Sequence, residues 1–279
     1  LHLVQAIVLG IVQGVTEFLP ISSNAHLEIV PALLGWQDPG AAFTAVIQLG
    51  TVVAVILYFW KDILSTLKAM LSKGGDRHQK TLGLAIVLGT VPIAVLGLLF
   101  KKQIEGPLRN LYVIAVTQIV MAIALWAADH FTNNVRSLKA VTLKDGLIVG
   151  LAQCLALIPG ASRSGSTMIG AYATGLAPEA AVRFSFLLSL PTITLAGLVE
   201  LKEFIKPDHS PKTGTMVWST PDLIVATLVA GVVGYGCIGW LLRYLSRRSP
   251  LVFVFYRIGL GALLLGMLLS GRLAAHPAP

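Results

Sequence analysis

Two short strings hold most of the residues able to do chemistry. The first, QGVTEFLPISSNAHLEIV (residues 13–30), carries Gln13, Glu17, Ser22, Ser23, Asn24 and His26; the second, PGASRSGST (residues 159–167), carries Ser162, Arg163, Ser164, Gly165 and Thr167. Brought together, Glu17 and His26 are general acid–base groups, Ser23 a potential nucleophile or else a holder of the phosphate for an attacking water, and Arg163 an oxyanion clamp. That is an inventory for phosphoryl transfer.

Local rules shape the first string. Gln13 and Glu17 are four residues apart and share a helix face. Pro20 has no N–H and interrupts the helix. Ser22 or Ser23 then caps a short helix starting near Asn24, and His26 shares a face with Ser23. Helix capping alone would account for Ser22, Ser23 and Asn24, and a hydrogen-bonded core position for His26. Glu17 is harder to explain that way. A carboxylate at the centre of a membrane helix costs roughly 2.5–3.5 kcal/mol, so it must face a partner or a cavity. Gln13 serves equally well as glue between helices, and Glu28 reads as facing the aqueous margin.

In the second string Gly160 and Gly165 permit backbone conformations closed to other residues. A turn of that kind followed by a helix start presents successive N–H groups to an anion. Ser162, Ser164 and Thr167 add hydroxyls, and Arg163 adds a fork suited to phosphate. Small-residue packing would explain Ser164 and Gly165 but not a buried arginine. An arginine of this kind opposite Glu17 makes sense if Glu17 is protonated or holds a divalent cation, Mg²⁺ or Ca²⁺. Glu17 is the candidate metal residue, although no carboxylate cluster of the usual Mg²⁺ type is visible. Gln48 reads as a bond to a neighbouring helix in preference to a cavity residue. Arg257 reads as snorkelling or binding a carbonyl within the bundle, with steering of an anionic substrate as the lesser role.

The elements that must position these groups are membrane helices. Of 279 residues 55% are hydrophobic and 12% charged, about half the charged share of a soluble domain, and mean hydropathy is +0.79. Six segments suit full spans of about 20 residues: 43–60, 82–100, 111–128, 183–200, 223–242 and 251–271. Pro92 and Pro191 are expected to kink two of them. Residues 1–34 and 144–177 are instead apolar stretches broken by Pro, Ser and Gly, and each reads as a re-entrant helical hairpin, since broken backbone survives at membrane depth only inside protein or beside water. The fold class is therefore all-α and polytopic, one membrane domain over 1–279. The order hairpin, three spans, hairpin, three spans suggests an inverted internal repeat, 1–128 and 143–271, with a site where the broken helices meet. An offset of 140 pairs Gln13 with Gln153 and Ser22 with Ser162.

The net charge of +8 follows from topology rather than nucleic-acid binding. Twelve Lys and Arg fall on the side of loops 61–81, 129–142 and 243–250, against seven on the other. The first side is expected to be cytoplasmic, with both termini outside. Cys154 and Cys237 lie in apolar segments and imply neither disulfide nor zinc site. No cleavable leader is expected, since Gln13 and Glu17 stand where a cleavage site needs small residues.

The strings QGVTEFLPISSNAHL and PGASRSGST, with FTAVIQLGTVVAV and FYR elsewhere, resemble the bacterial undecaprenyl-diphosphate phosphatase, or bacitracin-resistance, family over essentially the whole chain. Asn24 stands where the family usually has threonine. The resemblance implies an enzyme of the bacterial inner membrane that hydrolyses undecaprenyl diphosphate to undecaprenyl phosphate and inorganic phosphate, recycling the lipid carrier of peptidoglycan synthesis. It implies Glu17, Ser23, His26 and Arg163 as catalytic residues, with Gln13, Ser22, Asn24, Ser162, Ser164, Gly165 and Thr167 about the substrate, in a site opening to the periplasmic side. The expected partners are a polyprenyl diphosphate and membrane lipids, with a homodimer left open. The rival reading is a transporter or flippase for polyprenyl phosphate, which would use Arg163 without needing Ser23 or His26.

Overall fold

A computed structural model describes residues 2–100, 103, 108, 110–204 and 218–275. Its helices are α1 (His2–Thr16), α2 (Ser23–Leu34), α3 (Gly40–Leu71), α4 (Arg77–Leu99), α5 (Leu111–Phe131), α6 (Leu143–Gln153), α7 (Arg163–Ala173), α8 (Pro178–Phe204), α9 (Thr220–Leu245) and α10 (Leu251–Leu269); short 3-10 turns lie at Leu138–Ala140 and Cys154–Leu157. Among the described residues no strand forms. The loop basics Lys101, Lys102, Arg109, Lys206 and Lys212, used in the charge count, lie outside the described residues.

Six helices are long and apolar enough to cross a bilayer: α3, α4, α5, α8, α9 and α10. They are the six spans expected from the sequence. Their outward faces are apolar too, with Val232, Leu98 and Leu269 each more than 70% exposed, as suits a helix whose solvent is hydrocarbon. α3 outruns its expected end at Trp60 and continues to Leu71. Residues 61–71 contain neither Gly nor Pro, and a helix once nucleated extends at little cost. Its interior departs from helical dihedrals at Phe59 (φ −103°, ψ 18°), whereas α4 and α8 continue through Pro92 and Pro191.

The other four helices are short. α1 has 15 residues, α2 12, and α6 and α7 11 each; at 1.5 Å per residue they reach about 17–23 Å, less than the ~30 Å hydrocarbon core. α1 lies along α9, α6 along α4, α3 along α8 and α5 along α10. The α4–α6 contact brings backbones together: a Cβ on Gly150 would stand 2.3 Å from the Gly89 carbonyl oxygen. Such close approach is how helices associate where no hydrophobic force drives them.

The ends of the short pairs are tied. Arg136 reaches Asp145 at the start of α6 (2.7 Å) and the Thr174 carbonyl at the end of α7. Trp218 stands 6.3 Å, ring to ring, from His2 at the start of α1, and donates to the carbonyl of Pro39, in the link from α2 to the start of α3. Trp218 precedes α9, whereas Asp129, in the last turn of α5 shortly before Arg136, meets Ser249 beyond the far end of α9.

Candidate active site

The site is built where the two broken segments meet. Each break ends in a serine with positive φ: Ser22 (φ 75°) and Ser162 (φ 71°) are the two non-glycine residues of this kind among the described residues. An L-residue takes this conformation at a cost of order 1–3 kcal/mol and keeps it only where its surroundings over-determine it. Each serine caps the following helix, its hydroxyl accepting from the N–H three residues on, Ala25 or Gly165. The expected cap is thus Ser22, not Ser23. Gly160 is left-handed as expected (φ 88°), but Gly165 is helical. What Gly165 supplies is room, since a Cβ there would meet Arg257 Nη1 at 3.0 Å.

Broken backbone buried in a bundle must find donors for its carbonyls, and here four consecutive ones do. Leu19 accepts from Ser164 Oγ (2.9 Å), Pro20 from Arg257 Nη1 (2.8 Å), Ile21 from Gln118 Nε2 (2.8 Å) and Ser22 from His26 Nδ1 (2.7 Å). Arg257 also donates through Nη2 to Gly160 (2.8 Å) and Ala161 (3.1 Å) in the other break, and through Nε to Gln118. It is fully buried. The reading of Arg257 as a partner of bundle carbonyls is the one its contacts match. Its part in joining both breaks was not visible beforehand, nor was Gln118. Their shared signal was a polar side chain inside an apolar span.

Glu17 is the hub. Its Oε2 accepts from Gln13 Nε2 (3.0 Å) and Ser23 Oγ (2.6 Å); its Oε1 accepts from Gln48 Nε2 (3.2 Å) and forms an ion pair with Arg163. Four donors fill the acceptor positions of an ionised carboxylate. Gln48 thus bonds across to Glu17 on the neighbouring segment and also lines the cavity, so the two roles set against each other from sequence are both filled. Arg163 supplies the neutralising charge for which a proton or cation had been considered. A divalent cation fits this donor set poorly, because each Glu17 oxygen is already taken twice and no group of three His, Cys, Asp or Glu is gathered among the described residues.

A cavity of about 410 Å³ opens on this cluster. Glu17, Ser22, Ser23, Asn24, Gln48, Ser162 and Arg163 line its polar end, and Ile93, Ala94 and Leu98 of α4 with Leu195 of α8 line its apolar wall. The other candidates stand behind the wall. Gln13 is spent on Glu17. Ser164 donates to Leu19, and Thr167 to the Arg163 carbonyl (2.9 Å). His26 lies between the Ser22 carbonyl and the Tyr256 hydroxyl (2.6 Å).

A cavity with a carboxylate, a hydroxyl and a guanidinium at one end and an oily wall at the other suits an amphiphile with an anionic head. Comparison with known proteins points the same way. Residues 6–263 match the family described as bacitracin resistance protein BacA. The chain belongs to that family. Among its relatives is an undecaprenyl-diphosphatase of Chloroherpeton thalassium, 48% identical over 287 residues, covering 99% of this chain and all of that protein. Undecaprenyl-diphosphatases of Myxococcus xanthus (98% of this chain, 92% of that protein) and Gloeobacter violaceus (96% and 93%) are also 48% identical. The match to the BacA family contains both breaks and α10 up to residue 263.

Proposed function

We propose that this BacA-family chain is an undecaprenyl-diphosphatase, hydrolysing undecaprenyl diphosphate to the monophosphate and inorganic phosphate and so recycling a lipid carrier of cell-wall synthesis. The observation that carries the mechanism is the contact chain Ser23–Glu17–Arg163 on the wall of an amphipathic cavity. Ser23 Oγ attacks the terminal phosphorus, its proton passes to Glu17 Oε2, and the bond from that phosphorus to the bridging oxygen breaks. Undecaprenyl phosphate leaves. Glu17 passes the serine proton to the departing undecaprenyl phosphate, takes a proton from the water that attacks the phosphoserine, and returns it to Ser23 Oγ as inorganic phosphate is released. Arg163 turns from Glu17 to the phosphoryl oxygens, where a planar fork is worth most as charge builds. The N–H groups opening α7 behind Ser162 support the same oxygens. The cavity holds a diphosphate and the first prenyl units; the rest of the tail stays in lipid.

In this reading α1–α2 and α6–α7 are re-entrant hairpins in two inverted halves of a bacterial inner-membrane protein. Three observations support it: the paired positive-φ serines 140 residues apart, the exchange by which α1 packs on α9 and α6 on α4, and the tying of each hairpin's ends near opposite ends of α9. The excess of Lys and Arg in the loops on the Arg136 side supports a cytoplasmic position for that end, with the first hairpin's base on the periplasmic side.

The test is phosphate release from a polyprenyl diphosphate by purified protein, with Ser23→Ala and Arg163→Ala beside wild type, each with and without chelator. Loss in both variants supports the reading, and a chelator-sensitive wild type would require a cation in place of the Arg163 contact. Folded wild type that binds the lipid and releases no phosphate would replace the enzyme with a polyprenyl-phosphate transporter.

A further inference from the structure

We infer that His26 is a positioning residue and not the proton carrier of the reaction: its imidazole pins the Ser22 turn and thereby sets the Ser23 hydroxyl against Glu17. Both ring nitrogens are engaged away from the cavity. Nδ1 lies 2.7 Å from the Ser22 carbonyl oxygen, which only accepts, so Nδ1 carries a hydrogen. Nε2 lies 2.6 Å from the Tyr256 hydroxyl, and the two rings stack at 5.6 Å with 11° between their planes. His26 is buried, and it is not among the residues lining the cavity.

The second break supplies the comparison. Four residues beyond its own positive-φ serine stands Ser166, wholly buried, whose Oγ donates to the Ser162 carbonyl at 2.8 Å. The backbone N–H groups of His26 and Ser166 donate to the same two carbonyls, at 3.3 and 2.8 Å. Each strained serine thus has its carbonyl held by two donors from the residue four ahead. In one break the side-chain donor is an imidazole, in the other a hydroxyl with no acid–base chemistry to offer at neutral pH. The shared task is to fix the peptide plane after the strained serine. Ser23 is the residue on that peptide, and its Oγ sits 2.6 Å from Glu17.

The inference rests on the phosphatase reading, and one experiment separates the two. Phosphate release from a polyprenyl diphosphate is measured for wild type, His26→Ser, His26→Ala and Tyr256→Phe, each with its unfolding midpoint in detergent. Ser and Ala leave nearly the same void, so their difference isolates the donor to Ser22. The expected result is that His26→Ser keeps kcat within about tenfold of wild type and exceeds His26→Ala by about tenfold or more. A proton carrier contributes about 10²–10⁴ in rate, so equal loss in both variants would overturn the inference, and so would wild-type rates in both. Should both variants fail to fold, Tyr256→Phe decides, because it leaves the Ser22 contact in place. A rate within a few fold of wild type supports positioning, and a hundredfold loss in a folded protein overturns it. Inactive wild type would remove the phosphatase reading itself and the inference with it.

Discussion

The two breaks share a backbone and divide the chemistry. Ser22 and Ser162 have nearly the same dihedrals, and each caps the helix that follows. The next residue in each, the first of its helix, faces the cavity: Ser23 in one, Arg163 in the other. At the same offset Glu17 corresponds to Leu157, which lines the cavity's oily part. One break thus presents a carboxylate and a serine hydroxyl, the other a guanidinium and an apolar surface. The two breaks are like frames, each able to hold a side chain inside the bundle, and a phosphoryl-transfer site needs unlike groups in the two.

The sharpest way to break this division is to remove the group each frame presents. Ser23→Ala should abolish phosphate release, by at least the 10²–10³ typical of losing one transition-state contact, while leaving binding of the diphosphate lipid nearly intact. Arg163→Ala should lose comparable rate and weaken binding as well. Arg163→Lys should recover binding better than rate, since a point charge cannot reproduce the fork. If the two alanine variants were alike in binding, the assignment of clamp to one break and nucleophile to the other would fall. Steady-state kinetics alongside equilibrium lipid binding gives the comparison.

Next in size is the clasp between the frames. Arg257→Met would orphan carbonyls in both breaks and on Gln118. Each buried unsatisfied carbonyl costs about 1–3 kcal/mol, so a large drop in the unfolding midpoint in detergent is expected, with activity lost at temperatures where the bundle still holds. Arg257→Lys should recover part of the stability and little of the rate, because one ammonium cannot reach Pro20 and Gly160–Ala161 together. A folded, active Arg257→Met would show that the breaks hold their register without α10.

How much of this was legible beforehand follows from the range of each interaction. Six spans could be read because hydrocarbon imposes a length and a composition on every one of them. The breaks could be read because Pro20, Ser22, Gly160 and Arg163 act within a turn or two. That Ser22, one of the two expected caps, has positive φ could not be, since the groups that hold its turn include Arg257 and, through His26, Tyr256, both distant in sequence. The particular partners of Gln48 and Arg257 were not legible for the same reason. A polar residue in a span announces that it has a partner, and only the folded bundle says which.

A smaller effect tests the packing that brings the frames together. Gly150 lies against the Gly89 backbone, so Gly150→Ala should separate α6 from α4 at a cost of about 1–3 kcal/mol for overpacking. The loss should appear in the unfolding midpoint and, more weakly, in kcat, because α6 leads into the Arg163 break. An equally stable variant would mean that α4 and α6 slide apart without strain.

The smallest effect distinguishes the bases of the two pairs. The α6–α7 pair is fastened by Arg136 to Asp145 and Thr174, whereas the α1–α2 pair gathers at Trp218. Burial by itself raises the Asp145 pKa, but hydrogen bonds from Arg136 and Thr142 outweigh it and hold the carboxyl below its ordinary range. A carboxyl lowered on folding stabilises the native state above its unfolded pKa of about 3.9, and that contribution disappears as pH falls through the lower folded value. Acid below about pH 4 should therefore loosen the second base and leave the Trp218 base unchanged. Hydrogen exchange would show this as faster exchange at 143–146 and 172–175 on acidification, relative to 2–5 and 36–43. Asp145→Asn should exchange faster at the second base already at neutral pH and lose the acid dependence, at a cost of about 1 kcal/mol or less for a partly exposed pair. Acid sensitivity of equal size at both bases would mean that Asp145 does not fasten the second one.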